Sequence, residues 1–424
     1  MVEPHILITV DSFKGSMTSA QAGEAIRRGL ADGLAALPIR ASFDVIPIAD
    51  GGEGTVDAFH AALGGELIRV TCRGPLGDPV PATFLLLPDG KTAVIEMAAS
   101  CGLPLVRGRE DILHSDTFGL GQQILAALDR QPDKILVGIG GSATNDGGAG
   151  MARALGVRFL DAAGRELGST PAQLSELHAL DLSGLDARIR RTRFEVMCDV
   201  DNPLLGPAGA AAVFAPQKGA GPEVVKKLEA VGRRYADLVE QTRGAAFRDR
   251  PGTGAAGGLG FGFSALLGAR LRPGISVVIE TAHLRERARH TQLLITGEGR
   301  LDSQSLRGKA PSGIAAIAAE LGRPCVAFCG SIGGAVESLV PKPFAAAFEV
   351  ISVADSVADA ITRGVECLET LACRHASDLR PFLIPQDPKD DPASELLKRI
   401  NTGQEEQRHL RPPPSGLRSA AENQ

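Results

Sequence analysis

Apolar and polar positions follow two different periods along this chain. HILITV at residues 5–10 is a short apolar run that closes on Asp11. Thr18, with Gln21 three positions on, has the capping-box pattern, and AQAGEAIRRGLADGLAAL behind it predicts a helix. DVIPIA at 44–49 predicts a second strand, DGGEG closes it, and TVDAFHAAL predicts a second helix. Strands alternating with helices of this length predict an α/β fold, a Rossmann-like parallel sheet with helices packed on it. Ligands in such sheets bind beyond the carboxyl ends of the strands, where Asp11 and Asp50 stand.

From about Thr71 the pattern changes. PVPATFLLLPDGKTAVIEMA predicts a hairpin turned at Pro88-Asp89-Gly90. A helix is expected in TFGLGQQILAALD, a strand in KILVGIG, a helix in AGMARALG and a strand in FEVMCDV. PEVVKKLEAVGRRYADLVEQT predicts a long solvated helix with mixed charge. At LLITGEGRLD the first pattern returns, with a helix in SGIAAIAAELG and strands in PCVAFCG and FEVISVAD. The α/β domain is therefore expected to be built from both chain ends, residues 1–70 with 285–383, and a second α/β domain from 71–284 is inserted in it. From Gln386 the last 39 residues carry 13 charged positions and five prolines, so 384–424 is expected to be a disordered polar tail.

Composition narrows the function. Lys plus Arg is 45 against 50 Asp plus Glu, a net charge of −5 over 424 residues, and there are 16 aromatic residues, none of them Trp. That balance speaks against nucleic acid as a partner, which wants clustered basic charge and stacking platforms. No apolar run approaches the ~18 residues of a membrane span. The start, with Glu3 and a short apolar run, is not a signal peptide, so a cytoplasmic protein is expected. Seven scattered cysteines read as reduced core residues; Cys325 and Cys329 have no neighbouring His to complete a zinc site. Fifty-one glycines lie in short clusters rather than in a repeat.

Those clusters hold the candidate chemistry. Asp11, Ser12 and Lys14 lie between a strand and a helix, where a carboxylate, a hydroxyl and an ammonium can hold an oxygen-rich substrate or a phosphate. Asp50 and Glu53 stand among three glycines; such carboxylates can hold Mg²⁺ or take a proton from a hydroxyl, or else only cap the next helix. GIGGSATNDGG follows an apolar strand. It lacks the Gly-Lys-Ser/Thr ending of a Walker loop and the spacing of a dinucleotide fingerprint, yet backbone N–H groups with Ser142, Thr144, Asn145 and Asp146 could cradle anionic oxygens. Asp199, Asp201 and Asn202 end a strand, and either suit a hard cation or start a turn at Pro203. Glu298, Arg300 and Asp302, with Arg307 and Lys309 behind them, suit phosphoryl transfer or form a surface ion-pair cluster. The histidines are isolated, and neither a GxSxG elbow nor an HExxH is present.

VDSFKGSMTS, PIADGGEGTVDA, GPLGDPV, GIGGSATNDGGAGMARALG, CDVDNPLLGPAGAAAVFAPQKGA, GAAGGLGFG, LRPGI, ITGEGRLDSQSLRGKAP and SVADSVADAITRG together resemble the type I glycerate kinase family, in its order, from about His5 to about Leu383. Val10 stands where that family usually has Pro, and the tail has no counterpart in it. The resemblance implies two α/β domains with the active site in the cleft between them. It implies ATP and Mg²⁺ as cofactors and phosphorylation of D-glycerate, most often at the 2-hydroxyl. The matched polar residues are Asp11, Ser12, Lys14, Asp50, Glu53, Ser142, Thr144, Asn145, Asp146, Asp199, Asn202, Glu298, Asp302 and Lys309.

Chemistry divides these into roles. Asp50, Asp199 and Lys14 are the candidate catalytic groups, with Asp50 or Asp199 as base or metal ligand. Asp11, Ser12, Ser142, Thr144, Asn145, Asn202 and Lys309 are expected to bind substrate or phosphate, and Glu53, Asp146, Glu298 and Asp302 are the candidate metal ligands. The alternatives are 3-phosphorylation, a nicotinamide-dependent hydroxyacid dehydrogenase and a non-catalytic hydroxyacid sensor. A monomer or a homodimer is compatible with the sequence.

Overall fold

The structure, a computed structural model, describes residues 3–302, 305, 308–334, 339–340 and 342–384. Its first sheet is five-stranded and wholly parallel, in the order β15-β13-β11-β1-β2. Its strands are β1 (His5–Ile8), β2 (Ser42–Val45), β11 (Leu293–Thr296), β13 (Cys325–Cys329) and β15 (Ala346–Glu349). The second sheet, β10-β9-β6-β5-β4-β3, comprises β3 (Glu66–Arg73), β4 (Pro79–Leu86), β5 (Thr92–Glu96), β6 (Lys134–Gly138), β9 (Arg193–Met197) and β10 (Arg270–Arg272). β5, β6, β9 and β10 run parallel, while β4 is antiparallel to both its neighbours. Two small pairs complete the strands: β7 (Arg158–Leu160) with β8 (Ala179–Asp181), and β12 (Arg300–Leu301) with β14 (Ser331–Ile332).

Three packing faces follow from the side-chain alternation of the strands. Ile6, Ile8, Ile295, Val326 and Phe328 face α1 (Ser19–Ala35) and α14 (Gly364–Arg374), across the outer side of the first sheet. α1 begins as expected, with Thr18 and Gln21 forming a capping box. On the inner side, Leu7, Leu294 and Ala327 share one apolar cluster with Leu85, Val94, Leu136 and Met197 of the second sheet. α2 (Thr55–Leu63), α10 (Gly274–Thr281), α11 (Leu284–Ala288) and α12 (Ala310–Glu320) contribute to that shared core. Both faces of the first sheet are therefore covered at its centre, which is why β1, β11 and β13 read as apolar runs, whereas the edge strand β2 is half-buried and carries Ser42 and Asp44. The far face of the second sheet packs on α4 (Phe118–Leu128), α5 (Ala149–Ala154), α8 (Pro222–Arg243) and α9 (Ala255–Leu266). Short helices fill the connections: α3 (Ala98–Cys101), α6 (Pro171–Leu174), α7 (Ala210–Phe214), α13 (Val357–Thr362) and α15 (Arg380–Leu383).

Several expectations change. β2 stops at Val45, and 46–49 continue as extended chain that still bonds to β1's continuation through Ile46 N–H to Ile8 O and Ile48 N–H to Val10 O. The strand expected over FEVISVAD ends at Glu349 and passes into a 3-10 turn, Val350–Ser352. β3 was not anticipated: Glu66–Arg73 mixes charged and apolar residues on an edge strand, largely open to solvent. The glycine-rich GAAGGLGFG carries the start of α9, with Ala256, Gly257 and Gly258 all left-handed. The polar tail lies, from residue 385 on, outside the described residues. The seven cysteines are free, as expected, and among the described residues no helix is long and apolar enough to cross a membrane.

Candidate active site

Parallel strands deliver their carboxyl ends, and the loops beyond them, to one edge of a sheet. Here the first sheet and the parallel strands of the second bring those edges together. β1 is followed by Asp11, β2 by Asp50, β11 by Glu298 and β9 by Asp199. The loop 50–54 is the junction. Gly51 has φ +96° and its α-carbon packs on Met197, while Gly140 N–H donates to Gly51 O at 3.0 Å. A side chain at Gly51 would meet Met197 Cβ at 2.6 Å and one at Gly140 would meet Gly52 Cα at 2.7 Å, so the glycines are needed for this backbone-to-backbone approach. The next helix, α2, has no side-chain cap of its own. Glu96, at the end of β5 in the other sheet, supplies one by accepting from Gly54 N–H at 3.0 Å and Val56 N–H at 3.4 Å.

The carboxylates raise one another's proton affinity. Asp11 is only 7% exposed. Burial, then the charge of Asp50, pushes its pKa up to about 7, although Ser12 N–H donates to its Oδ1 at 2.6 Å. Asp199 is open to solvent over part of its surface, but protein crowds its carboxyl and raises it to about 6, with Asp50 adding to the rise. Lys309 and Lys14 oppose that rise. Asp199 Oδ1 accepts Gly274 N–H at 2.7 Å, which ties the loop after β9 to the start of α10. Glu298 is likewise raised by burial, against a hydrogen bond from Ser305 and the charge of Lys309, with Asp302 and Asp50 adding to the rise. Lys14 Nζ lies 3.9 Å from Asp50 Oδ2, and its side chain is 77% exposed. Asp11, Ser12, Lys14, Asp50, Asp199, Glu298, Asp302 and Lys309 are thus brought to one place.

The other expected residues stand elsewhere. Asp146 is buried and its oxygens are occupied: Oδ2 accepts Thr117 N–H, Thr117 Oγ1 and Gly150 N–H, and Oδ1 accepts Gly148 N–H. Two donors from Thr117 and two amides of its own turn satisfy the charge, so this carboxylate organises the turn into α5 and does not face the acid cluster. Burial, and then Asp116, raises it to about 6. Ser142 and Thr144 surround Lys218, whose Nζ donates to Ser142 Oγ at 2.6 Å and Thr144 O at 2.7 Å. Lys218 is 3% exposed, and burial drives its pKa down to about 7. Thr144 Oγ1 and Asn145 Oδ1 are buried without a hydrogen-bond partner among the described residues. Asn202 donates to Ala208 O at 2.7 Å, and Glu53 is exposed beside Glu96.

Among the described residues, no three or more of His, Cys, Asp and Glu form a group that could hold a metal ion. The four candidate metal ligands are therefore not one site, because Asp146 is committed to its loop and Glu53 to the surface. Mg²⁺ asks for less, one or two carboxylates with water and phosphate oxygens completing the shell. Glu298 fits it: its Oε1 is buried with no hydrogen-bond partner among the described residues, and oxygen donors suit a hard cation.

Sequence reasoning passed over Glu96 and Lys218. Glu96 carried one signal, a carboxylate closing the otherwise apolar strand TAVIE at its carboxyl end. Lys218 carried only its place in the segment FAPQKGA, whose burial becomes visible when that segment folds over Ser142 and Thr144.

The profile of the glycerate kinase family matches residues 6–380. The chain is 43% identical to a glycerate kinase of Bacillus subtilis (strain 168) over 376 residues, covering 88% of this chain and 97% of that one. It is 41% identical to the glycerate 2-kinase of Escherichia coli (strain K12) over 348 residues, covering 82% and 90%. The crystal structure described as glycerate kinase 2 from Salmonella typhimurium LT2 superposes with a TM-score of 0.80 at 40% identity, covering 89% of this chain and 99% of that one.

Proposed function

The chain belongs to the glycerate kinase family, and on that premise we propose that it transfers the γ-phosphoryl group of ATP to the 2-hydroxyl of D-glycerate, giving 2-phosphoglycerate and ADP. The chain is a kinase. The observation that supports phosphoryl transfer is the gathering of Asp11, Asp50, Asp199 and Glu298, with Lys14 and Lys309, where the two sheets meet; the 2-position rests on the likeness to the Escherichia coli glycerate 2-kinase.

Transfer between two anions is limited by repulsion and by positioning, so the protein's work is to neutralise charge and to align oxygens. Asp199, its pKa raised toward neutrality, takes the hydroxyl proton as general base. Lys14 and Lys309 neutralise the transferring phosphoryl group and the substrate carboxylate. Glu298 and Asp50 would hold the Mg²⁺ that accompanies ATP, which would offset charge between donor and acceptor. We read residues 1–70 with 285–383 as one domain and 71–284 as the other. Their shared core beneath the loop 50–54 holds one side of the cleft fixed, so closure that excludes water comes from the opposite, open side.

Phosphorus NMR of the product formed from ATP and D-glycerate tests this directly, because 2- and 3-phosphoglycerate resolve. A 2-phosphoglycerate signal with stoichiometric ADP is the expected result; the 3-isomer would reverse the regiochemistry, which is the alternative reading. Lys14→Met is expected to raise the KM for one substrate or depress kcat by ~10-fold or more, through loss of a charge-assisted contact. Unchanged kinetics would remove Lys14 from the site.

A further inference from the structure

Beside the acid cluster lies a cavity of about 960 Å³. Its walls come from the first turn of α1, from α2 and from β4 and β5 of the second sheet, so it lies between the two sheets on the open side of the loop 50–54. Ser12 and Lys14 stand on its lining and connect it to Asp50. None of the chemistry derived above uses the rest of this space.

We propose that this cavity seats the nucleoside of the phosphoryl donor, an adenosine with its phosphates directed toward Lys14, and that the three-carbon acid binds on the opposite side of the carboxylate cluster. The proposal rests on the reading of ATP as donor and adds where it sits. Size is the first argument. The volume is at the upper end of the ~300–1,000 Å³ range of small-molecule sites, far larger than a three-carbon acid can fill.

Charge is the second argument. Glu53, Asp57 and Glu96 all line the cavity. The exposed carboxylates of Glu53 and Asp57 disfavour an anionic acid, yet with Glu96 they can accept hydrogen bonds from ribose hydroxyls and from the exocyclic amine of a base. The anionic part of a nucleotide must then point away from them, and the cationic group on the lining is Lys14. Surface character is the third argument. Met17, Val56 and Ala82 are buried and line the same space, giving apolar walls against which a flat base can lie.

The chain contains no tryptophan, so an introduced one is a single reporter. Thr83 on β4 and Ala61 on α2 line the cavity, half-buried and exposed respectively. Thr83→Trp suits a strand, and Ala61→Trp replaces an exposed helical position, so the second stands in if the first fails to fold. Val213→Trp, on α7 outside the cavity and 44% exposed, is the control. ADP is expected to change the emission of the Thr83 and Ala61 variants saturably, and D-glycerate to leave it unchanged. The KM for ATP is expected to rise by ~10-fold while that for D-glycerate stays within about twofold. The control should respond to neither ligand.

A response to D-glycerate instead of ADP would assign the cavity to the acceptor and overturn the proposal. So would ADP binding seen by calorimetry with both reporters silent and the KM for ATP unchanged. Absence of ADP binding to the wild-type protein, together with no ADP release from ATP and D-glycerate, would sink the reading of ATP as donor and the proposal with it.

Discussion

Asp199→Asn and Asp50→Asn are each expected to lower kcat by at least ~100-fold while leaving the protein folded. The two substitutions are conservative toward structure. Asp199 Oδ1 accepts Gly274 N–H and Asp50 Oδ1 accepts Gly52 N–H at 3.2 Å, and an asparagine oxygen can accept both bonds. What asparagine cannot do is take a proton from the glycerate hydroxyl or offset a cation's charge. Circular dichroism and melting temperature should therefore stay near wild type while turnover at saturating ATP and D-glycerate collapses. The double variant should lose little more than the worse single one, because groups that act together in one transition state are not additive. Near-normal turnover in both single variants would show that these acids merely organise their loops, and the junction of the two sheets would lose its role as active site.

The second large effect concerns Asp11, and its sign is opposite for stability and activity. A carboxyl held near pKa 7 in the folded protein ionises at 3.8 in an open chain. The folded state therefore favours the protonated form. That contribution is fully present below pH about 4 and is lost as pH rises through about 7, at a cost of order 4 kcal/mol. Asp11→Asn removes the charge and keeps the shape. At pH 8 it is expected to raise the melting temperature by several degrees while lowering turnover; at pH 4.5 the gain in stability should shrink toward nothing. A group that weakens the fold in exchange for function is what a crowded catalytic centre would contain. If Asp11→Asn melts lower than wild type at pH 8, Asp11 is a structural acceptor for Ser12 and belongs to the turn rather than to the site.

The α/β class was legible because it depends on local period. Apolar runs of strand length, helix caps such as Thr18–Gln21 and glycine-bounded turns state themselves over a few residues, and α1, β6, α8 and α12 fall where those patterns put them. β3 escaped for the same reason: as an edge strand its charged residues meet solvent, and it has no local pattern apart from its pairing with β4.

The candidate residues were named by their chemistry and their place after strands, and that much is written in the chain. Which of them meet is not. Asp199 reaches Gly274 across 75 positions, and Glu96 caps Gly54 across 42. Such contacts depend on how two sheets approach through Gly51 and Gly140. Asp50 and Asp146 look alike in sequence, each an acid followed by two glycines. Folding separates them by solvation: Asp146 is enclosed by two amides of its own turn and by the N–H and hydroxyl of buried Thr117, while Asp50 is left partly exposed at the meeting of the two sheets with Lys14 beside it. Residue type and local spacing determined which groups could carry chemistry; burial and long-range pairing, which no short window contains, decided which of them are left free to carry it.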